Sequence, residues 1–237
     1  MNKQNIIIKL SGAALKDSNN DSILSGEKLS NLAKQLITLS KKYNIGIIVG
    51  GGNIWRGQAA NAKLYDLDQA HYMGMLATVI NSIALKEVLK RNKAKAIVYS
   101  LIDMPKVAST YNLDNVKEHL QNGYICIMAG GTGSPFFSTD TGAALHAAEI
   151  GAKCILVGKD GVDGVYSADP KKNKNAKRFD HLTYDEIIKR DLKVMDMTSI
   201  TFCKANCITL IVFNNNQKDG IIKAINKQTK VTVVENK

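Results

Sequence analysis

Two cations set among glycines carry the first hint of chemistry in this chain. Lys9 closes an apolar run, N-I-I-I-K-L (residues 5–10), and is followed at once by Ser11 and Gly12. Lysine is rarely buried without a partner, so this position asks for one. Arg56 stands just beyond three successive glycines in V-G-G-G-N-I-W-R-G (49–57), in a chain with few arginines among its 32 basic residues. A planar guanidinium beside glycine-rich backbone suits phosphate. Two more loops share this character: A-G-G-T-G-S-P-F-F-S-T-D (129–140) and G-K-D-G-V-D-G-V-Y-S-A-D-P (158–170).

A glycine-rich loop that runs into a helix N-terminus presents free N–H groups and a positive dipole end to an anion. Two such loops imply two phosphate groups. That is what phosphoryl transfer needs, since its catalysis is mostly positioning and charge neutralisation. Each feature taken singly also has a plainer reading. Glycines behind strands turn the chain, and Thr139 or Asp140 can cap the helix pattern T-G-A-A-L-H-A-A-E. Asp169 before Pro170 makes an ordinary turn, and Asp196 in K-V-M-D-M-T-S can cap the helix behind it. Jointly they favour a nucleotide site. The commonest loop designs are missing: there is no G-x-x-x-x-G-K-[ST], and no G-x-G-x-x-G with its last glycine in place.

Such loops need a frame. Apolar runs at 5–10, 45–49, 94–100, 124–130, 153–158, 208–213 and 231–234 read as strands. Between them lie segments of helical period at about 26–43, 66–92, 112–122, 140–150, 184–190, 197–206 and 219–226. Leu29, Leu32, Ala33, Leu36 and Ile37 share one face of the first helix; Met73, Leu76, Ala77, Ile80, Ala84, Leu85 and Leu89 do so on the second. This alternation predicts an α/β fold with a mostly parallel sheet covered by helices on both faces. In such sheets ligands bind beyond the carboxyl ends of the strands, where the unusual loops fall. G-V-D-G-V-Y-S-A-D-P (161–170) reads as a hairpin or lid-like excursion.

The chain has 237 residues, 45% of them hydrophobic, and no Pro-Gly-Ser linker divides it, so a single domain over 1–237 is expected. No apolar run reaches the eighteen or so residues of a membrane span, and the N-terminal apolar core is too short for a signal peptide. A cytoplasmic protein without a membrane partner is expected. Cys126, Cys154, Cys203 and Cys207 read as core thiols rather than a zinc set, because Cys203 and Cys207 lack a second ligand pair. No metal ligands are expected from the protein. The net charge of +11 raises the question of nucleic acid, but the lysines are scattered along the chain. The one dense run, K-K-N-K-N-A-K-R (171–178), has no aromatic residues for base stacking, so it reads as a solvated loop and no nucleic-acid partner is expected.

K-L-S-G, G-G-G-N-I-W-R-G, Y-M-G-M-L-A-T-V-I-N, G-T-G-S-P-F-F-S-T-D-T, V-D-G-V-Y-S-A-D-P and K-V-M-D follow one another here in a familiar order. In that order, over about residues 5–235, the chain resembles the bacterial uridylate kinases, a branch of the amino-acid kinase superfamily. G-G-G-N belongs to the whole superfamily; Y-M-G-M-L-A-T-V-I-N with the G-T-G-x-P-F-F-S-T-D loop is specific to the branch. The resemblance implies one αβα-sandwich domain, usually assembled as a homohexamer. It implies transfer of a phosphoryl group from ATP, bound with Mg²⁺ as Mg-ATP, to UMP, in pyrimidine nucleotide biosynthesis, with UTP as a feedback inhibitor.

The resemblance also implies roles for residues. Lys9, Leu10, Ser11 and Gly12 would meet the ATP phosphates, and Gly52 and Arg56 the transferring phosphate. Asp160, Tyr166 and Asp169 would lie by the adenosine. Gly51 would meet UMP, which Thr132, Gly133, Ser134, Pro135, Phe136, Phe137, Ser138 and Thr139 would hold. Asp140 and Asp196 would orient the lysines and the acceptor. Two positions depart from the pattern. His71 stands where the family has an aspartate toward the ribose. Tyr124 lies in a stretch with no arginine between Arg91 and Arg178, where many members carry the arginines of GTP activation. The competing readings are a relative acting on a carboxylate, carbamate or small phosphate, and a non-catalytic nucleotide sensor or basic RNA-binding protein. The first would need a different acceptor loop, and the second would not need Lys9, Arg56, Asp140 and Asp196 together.

Overall fold

A strand that is apolar on every residue must be covered on both faces. The computed structural model, which describes residues 3–17, 22–55 and 64–237, covers both. β1 (Gln4–Leu10) lies near the middle of a nine-stranded sheet and is buried from Ile6 onward. β2 (Tyr43–Val49) and β6 (Cys154–Lys159) flank it, both parallel to it. Beyond β2 come β5 (Ile125–Ala129), β3 (Ala96–Ser100) and β4 (Ser109–Thr110). Beyond β6 come β10 (Thr209–Asn214), β11 (Val231–Glu235) and β9 (His181–Thr183), with the β10–β11 pair antiparallel. The chain leaves β1 toward β2 but later crosses to β6 on the other side. This change of direction puts the loops behind β1, β2, β5 and β6 around one crevice.

α1 (Gly26–Ser40), α2 (Leu67–Arg91) and α7 (Gly220–Ile225) cover one face of the sheet. α3 (Leu113–Gln121), α4 (Thr139–Glu149), α5 (Tyr184–Lys189) and α6 (Met197–Ala205) cover the other. The period of two in β1 divides its side chains accordingly: Ile6, Ile8 and Leu10 pack with the first group of helices, and Ile7 with the second. The result is the three-layer αβα sandwich that the alternation predicts.

α1 buries Leu29, Leu32, Ala33, Leu36 and Leu39, much as its spacing indicates. It also buries Gln35, whose Oε1 accepts the Ile221 N–H at 3.0 Å. That contact supplies a cap to α7, whose own N-cap Asp219 makes none with its side chain. α2 departs from its expected face. Leu76 and Ile80 are 47% and 46% exposed, and the inward face carries Ala70, Met75, Thr78, Asn81, Ser82, Leu85 and Leu89. The inward side of α2 meets the backbone of a glycine loop, which needs hydrogen-bonding partners rather than leucines. α2 also has the length and mean hydropathy (1.2) of a membrane span, contrary to the sequence expectation, with 44% of that window buried. It packs as the long helix of the sandwich.

The excursion behind β6 is a two-stranded antiparallel pair, β7 (Val165–Tyr166) with β8 (Arg178–Phe179). The hairpin is therefore wider than residues 161–170, and the basic run 171–178 is mainly its exposed connection. Cys126 and Cys203 are buried, as expected. Cys207 is a correction: it lies past the end of α6, exposed, at a positive φ of 52°.

Ile8 is fully buried in β1. Ile8→Ala should cost about 2–5 kcal/mol through lost transfer energy and the cavity left behind. Urea unfolding should show a lower midpoint at an unchanged slope, and an unchanged midpoint would contradict the central place given to this strand.

Candidate active site

Lys9 and Lys159 meet because of sheet register. Lys9 pairs with Val157, and a period of two then puts Lys159 on the same face, one step further along β6. That face belongs to α4, and Lys9, 9% exposed, forms an ion pair with Asp140 in the first turn of α4. Lys159 donates to the Val194 carbonyl. Burial pushes its ammonium below the usual lysine pKa, and the charge of Lys9 adds to this while Asp140 opposes it. Two ammonium groups thus share the neighbourhood of one carboxylate. The motif reading missed Lys159, although the signal was present: K-C-I-L-V-G-K, like N-I-I-I-K-L, places a lysine at the end of a buried strand.

The loops behind β1 and β2 are pressed together. A Cβ on Gly12 would come within 2.6 Å of the Gly50 carbonyl oxygen and 2.8 Å of Gly52 N. Gly50 N donates to the Leu10 carbonyl at 2.9 Å; Leu10 joins this junction through backbone alone, its side chain being in the core. Ser11 caps the short 3₁₀ turn Gly12–Leu15 by accepting from Ala13 N at 3.3 Å. Gly51 answers to α2, since a Cβ there would lie 2.7 Å from the Gly74 oxygen and 2.8 Å from Ala77 Cβ. Asn81 on α2, fully buried, donates to the Gly50 carbonyl at 2.8 Å and pairs with Asn53. The first duty of these glycines is close packing of backbone on backbone. Trp55 fastens the end of this segment by donating Nε1–H to the Ala70 carbonyl at 2.9 Å. Arg56 lies outside the described residues.

The loop behind β5 turns through Gly130, Gly131 and Gly133 at φ of 86°, 62° and 76°, the left-handed region where glycine fits. Gly130 N donates to Thr78 Oγ1 at 2.8 Å, so α2 holds this loop as well. Thr132 Oγ1 and Ser134 N approach to 3.3 Å. Pro135 is half-buried, while Phe136 and Phe137 are exposed, Phe136 at a φ of 71°. His71 on α2 packs its ring 5.1 Å from that of Phe136. The residue that departs from the family pattern therefore still lies against this loop.

Ser138 ends the loop and caps α4, accepting from Asp140 N at 2.9 Å and Thr141 N at 3.4 Å. Its hydroxyl donates to Asp196. Thr141 Oγ1 donates to the same carboxylate at 3.0 Å, and Ser199 donates from both N and Oγ at 2.8 Å. Burial alone would raise the Asp196 pKa, but these hydrogen bonds outweigh it and hold the carboxyl below its usual range. Asp196 is thus the cap of α6 and a clamp between α4 and α6. It faces hydroxyls and a backbone amide, whereas the lysine partner is Asp140.

Asp160, Tyr166 and Asp169 come together as expected. They line a cavity of about 380 Å³ that also touches Lys159, Val165 and Leu192. Asp169 makes its ordinary turn as well, accepting from Lys171 N at 2.9 Å. The site therefore consists of a cavity with Lys159 in its wall, Lys9 near Lys159 on the same face of the sheet, and the glycine loops behind the neighbouring strands. Cations and glycine loops so arranged can hold an anion such as a phosphate.

Comparison with known proteins gives the same picture. The family model described as "Amino acid kinase family" matches residues 4–214. The uridylate kinase of Malacoplasma penetrans is 46% identical over 234 residues, spanning 99% of this chain and 73% of that protein. The uridylate kinase of Ureaplasma parvum is 43% identical, with 99% of each chain covered. Among solved structures, the UMP kinase from Ureaplasma parvum superimposes with a TM-score of 0.96 at 42% identity over the whole of both chains. The UMP kinase from Bacillus anthracis does so at 0.91 and 34%, covering 98% of this chain and 96% of the other.

Asp196 offers a test of the clamp. Its folded pKa lies below the unfolded value, so its stabilisation is fully present at neutral pH and is lost as pH falls through the folded value. Asp196→Asn should melt lower than the parent chain at about pH 7, and the gap should close toward about pH 3. An equal gap at both pH values would show that the charge of Asp196 does not hold the two helices.

Proposed function

The chain belongs to the amino acid kinase family, and on that premise we propose that it transfers the γ-phosphoryl group of ATP to UMP, giving UDP and ADP. The observation that carries this reading is the Lys9–Asp140–Lys159 group, set between the cavity behind β6 and the loop behind β5. The acceptor oxygen belongs to a phosphate that is already largely ionised at neutral pH, so no strong base is required. What remains is to align two anions and to neutralise the charge that spreads over the moving group.

ATP places its adenosine in the cavity lined by Asp160, Tyr166 and Asp169, with its phosphates running past Lys159 toward Ser11, Gly12 and Gly52. Lys9 and Lys159 bind the transferring group, and Asp140 keeps the two ammonium groups apart and in place. UMP lies along Thr132–Thr139 with its phosphate toward Gly51, and His71 beside Phe136 stands near its ribose. Arg56 is assigned to the transferring phosphate by its motif. Asp196 positions the acceptor loop through Ser138 and Thr141. Magnesium enters as Mg-ATP, since phosphates are themselves the usual ligands of this ion.

The outer face of α2 supports an assembled protein. Tyr72, Leu76 and Ile80 are exposed at four-residue spacing, which makes an apolar stripe suited to a second copy of the chain. We assign a homohexamer, a cytoplasmic location and feedback by UTP on the same family ground.

ATP consumption with Mg²⁺ should be supported by UMP, and not by dTMP, aspartate or glutamate. Turnover with one of the latter and none with UMP would overturn the assignment. Asp140→Asn should lower kcat by at least about a hundredfold with the fold intact, since both lysines lose their shared counter-charge. Leu76→Glu with Ile80→Glu should reduce the particle mass measured by light scattering, and an unchanged mass would exclude α2 from the interface.

A further inference from the structure

Near the C-terminal end of α4 lies a buried polar chain that phosphoryl transfer does not use. His146 is 1% exposed and faces an acceptor through each ring nitrogen. Nδ1 lies 2.7 Å from Glu149 Oε2, and Nε2 lies 3.2 Å from the Gly131 carbonyl oxygen. Tyr111, in the segment between β4 and α3, donates its hydroxyl to the same Glu149 oxygen and sets its ring 4.9 Å from the imidazole. A neutral imidazole has one N–H and would turn a lone pair toward one of these oxygens. Only the imidazolium satisfies both.

The surroundings favour that form. Burial would raise the Glu149 pKa, but hydrogen bonds from His146 and Tyr111, with the charges of His146 and Lys117, bring it below the ordinary value. Glu149 is therefore a carboxylate. Tyr111 keeps its proton, since burial and then Glu149 raise its pKa. His146 also falls in the last turn of α4, where the negative end of the helix dipole favours a cation. Other titratable groups around it are Tyr99 on β3, whose ring lies 6.3 Å from that of Tyr111, His119 on α3, 2.9 Å from the Tyr99 hydroxyl, Tyr124 against His119, and Cys126 and Glu118 near Tyr99. Burial pushes Tyr99 up to about 12. The Lys9–Asp140 pair lies at the opposite end of α4, about 9 Å along its axis.

Gly131 is held twice by α4. A Cβ on Gly142 would come within 3.0 Å of its carbonyl, and His146, one turn further on the same helix face, donates to it. We propose that His146 is a positioning residue for the acceptor: its ring bridges Glu149 and the Gly131 carbonyl through its two nitrogens and so holds the acceptor loop in its binding form. The inference rests on the UMP reading of that loop.

The test uses the full chain. Nitrogen NMR of the histidine rings should find both nitrogens of His146 protonated at about pH 7, and a neutral tautomer there overturns the proposal. With saturating Mg-ATP, His146→Gln should raise KM for UMP about three- to tenfold with little change in kcat, the loss expected for one hydrogen bond. An unchanged KM for UMP in His146→Gln overturns the proposal. If His146→Gln fails to fold, the ring nitrogens still decide. Absence of any UMP turnover in the wild type would instead sink the functional reading, with the NMR result still deciding the state of His146.

Discussion

A lysine ammonium on the inward face of a central strand has little water to turn to. The cost of burying such an ion is several kcal/mol after relaxation, and it is met only by a well-placed partner. For Lys9 that partner is Asp140, and much of the site follows from the pairing. Asp140 must lie over the end of β1, so α4 must begin one residue earlier, at Thr139, and Ser138 must cap it. The capping hydroxyl is fastened in turn by Asp196, which begins α6. One buried charge thus sets the start of two helices and the end of the loop behind β5.

The two carboxylates show how similar residues acquire different work. Asp140 answers a cation, the ammonium of Lys9. Asp196 receives hydrogen bonds from Ser138, Thr141 and Ser199, which leave it little capacity to hold a substrate. Asp196 was legible as a helix cap, whereas the cap read at Thr139 or Asp140 is Ser138, and Asp140 lies in the first turn; both carboxylates were grouped by resemblance as residues that orient the chemistry. Only side-chain geometry separates the lysine partner from the clamp.

The frame was largely readable because buried strands and amphipathic helices announce themselves by period. The strands β1, β2, β3, β5, β6, β10 and β11 and all seven helices fall close to where the apolar pattern puts them. β4, β8 and β9 were not legible, since strands of two or three residues carry too little pattern. The face of α2 was misread for a different reason. Its inward side must satisfy the backbone of two glycine loops, so Thr78 and Asn81 take places that hydrophobicity alone would give to Leu76 and Ile80. The glycines have a second duty that the sequence did not show: Gly12 and Gly51 are required by the close approach of neighbouring protein atoms. Lys159 was overlooked because its partner Lys9 is distant in sequence, and register alone makes them neighbours.

That distance has a consequence for how the molecule comes into being. β1 is nearly the first element of the chain, and one of its two strand partners, β2, follows soon after. Its other partner is β6, and the register Ile7 to Ile155 spans 155 − 7 = 148 residues. Contacts of such separation form slowly, because a long loop must close before they give any return. During synthesis β1 therefore waits with one edge of backbone N–H and C=O groups unpaired until more than half of the chain has followed. An open edge of this kind invites pairing with other chains. Until α4 supplies Asp140, Lys9 is a charge on an open strand without its partner. A lysine in such a place is one of the devices that discourage edge pairing, so the residue around which the site is arranged also suits the strand that waits.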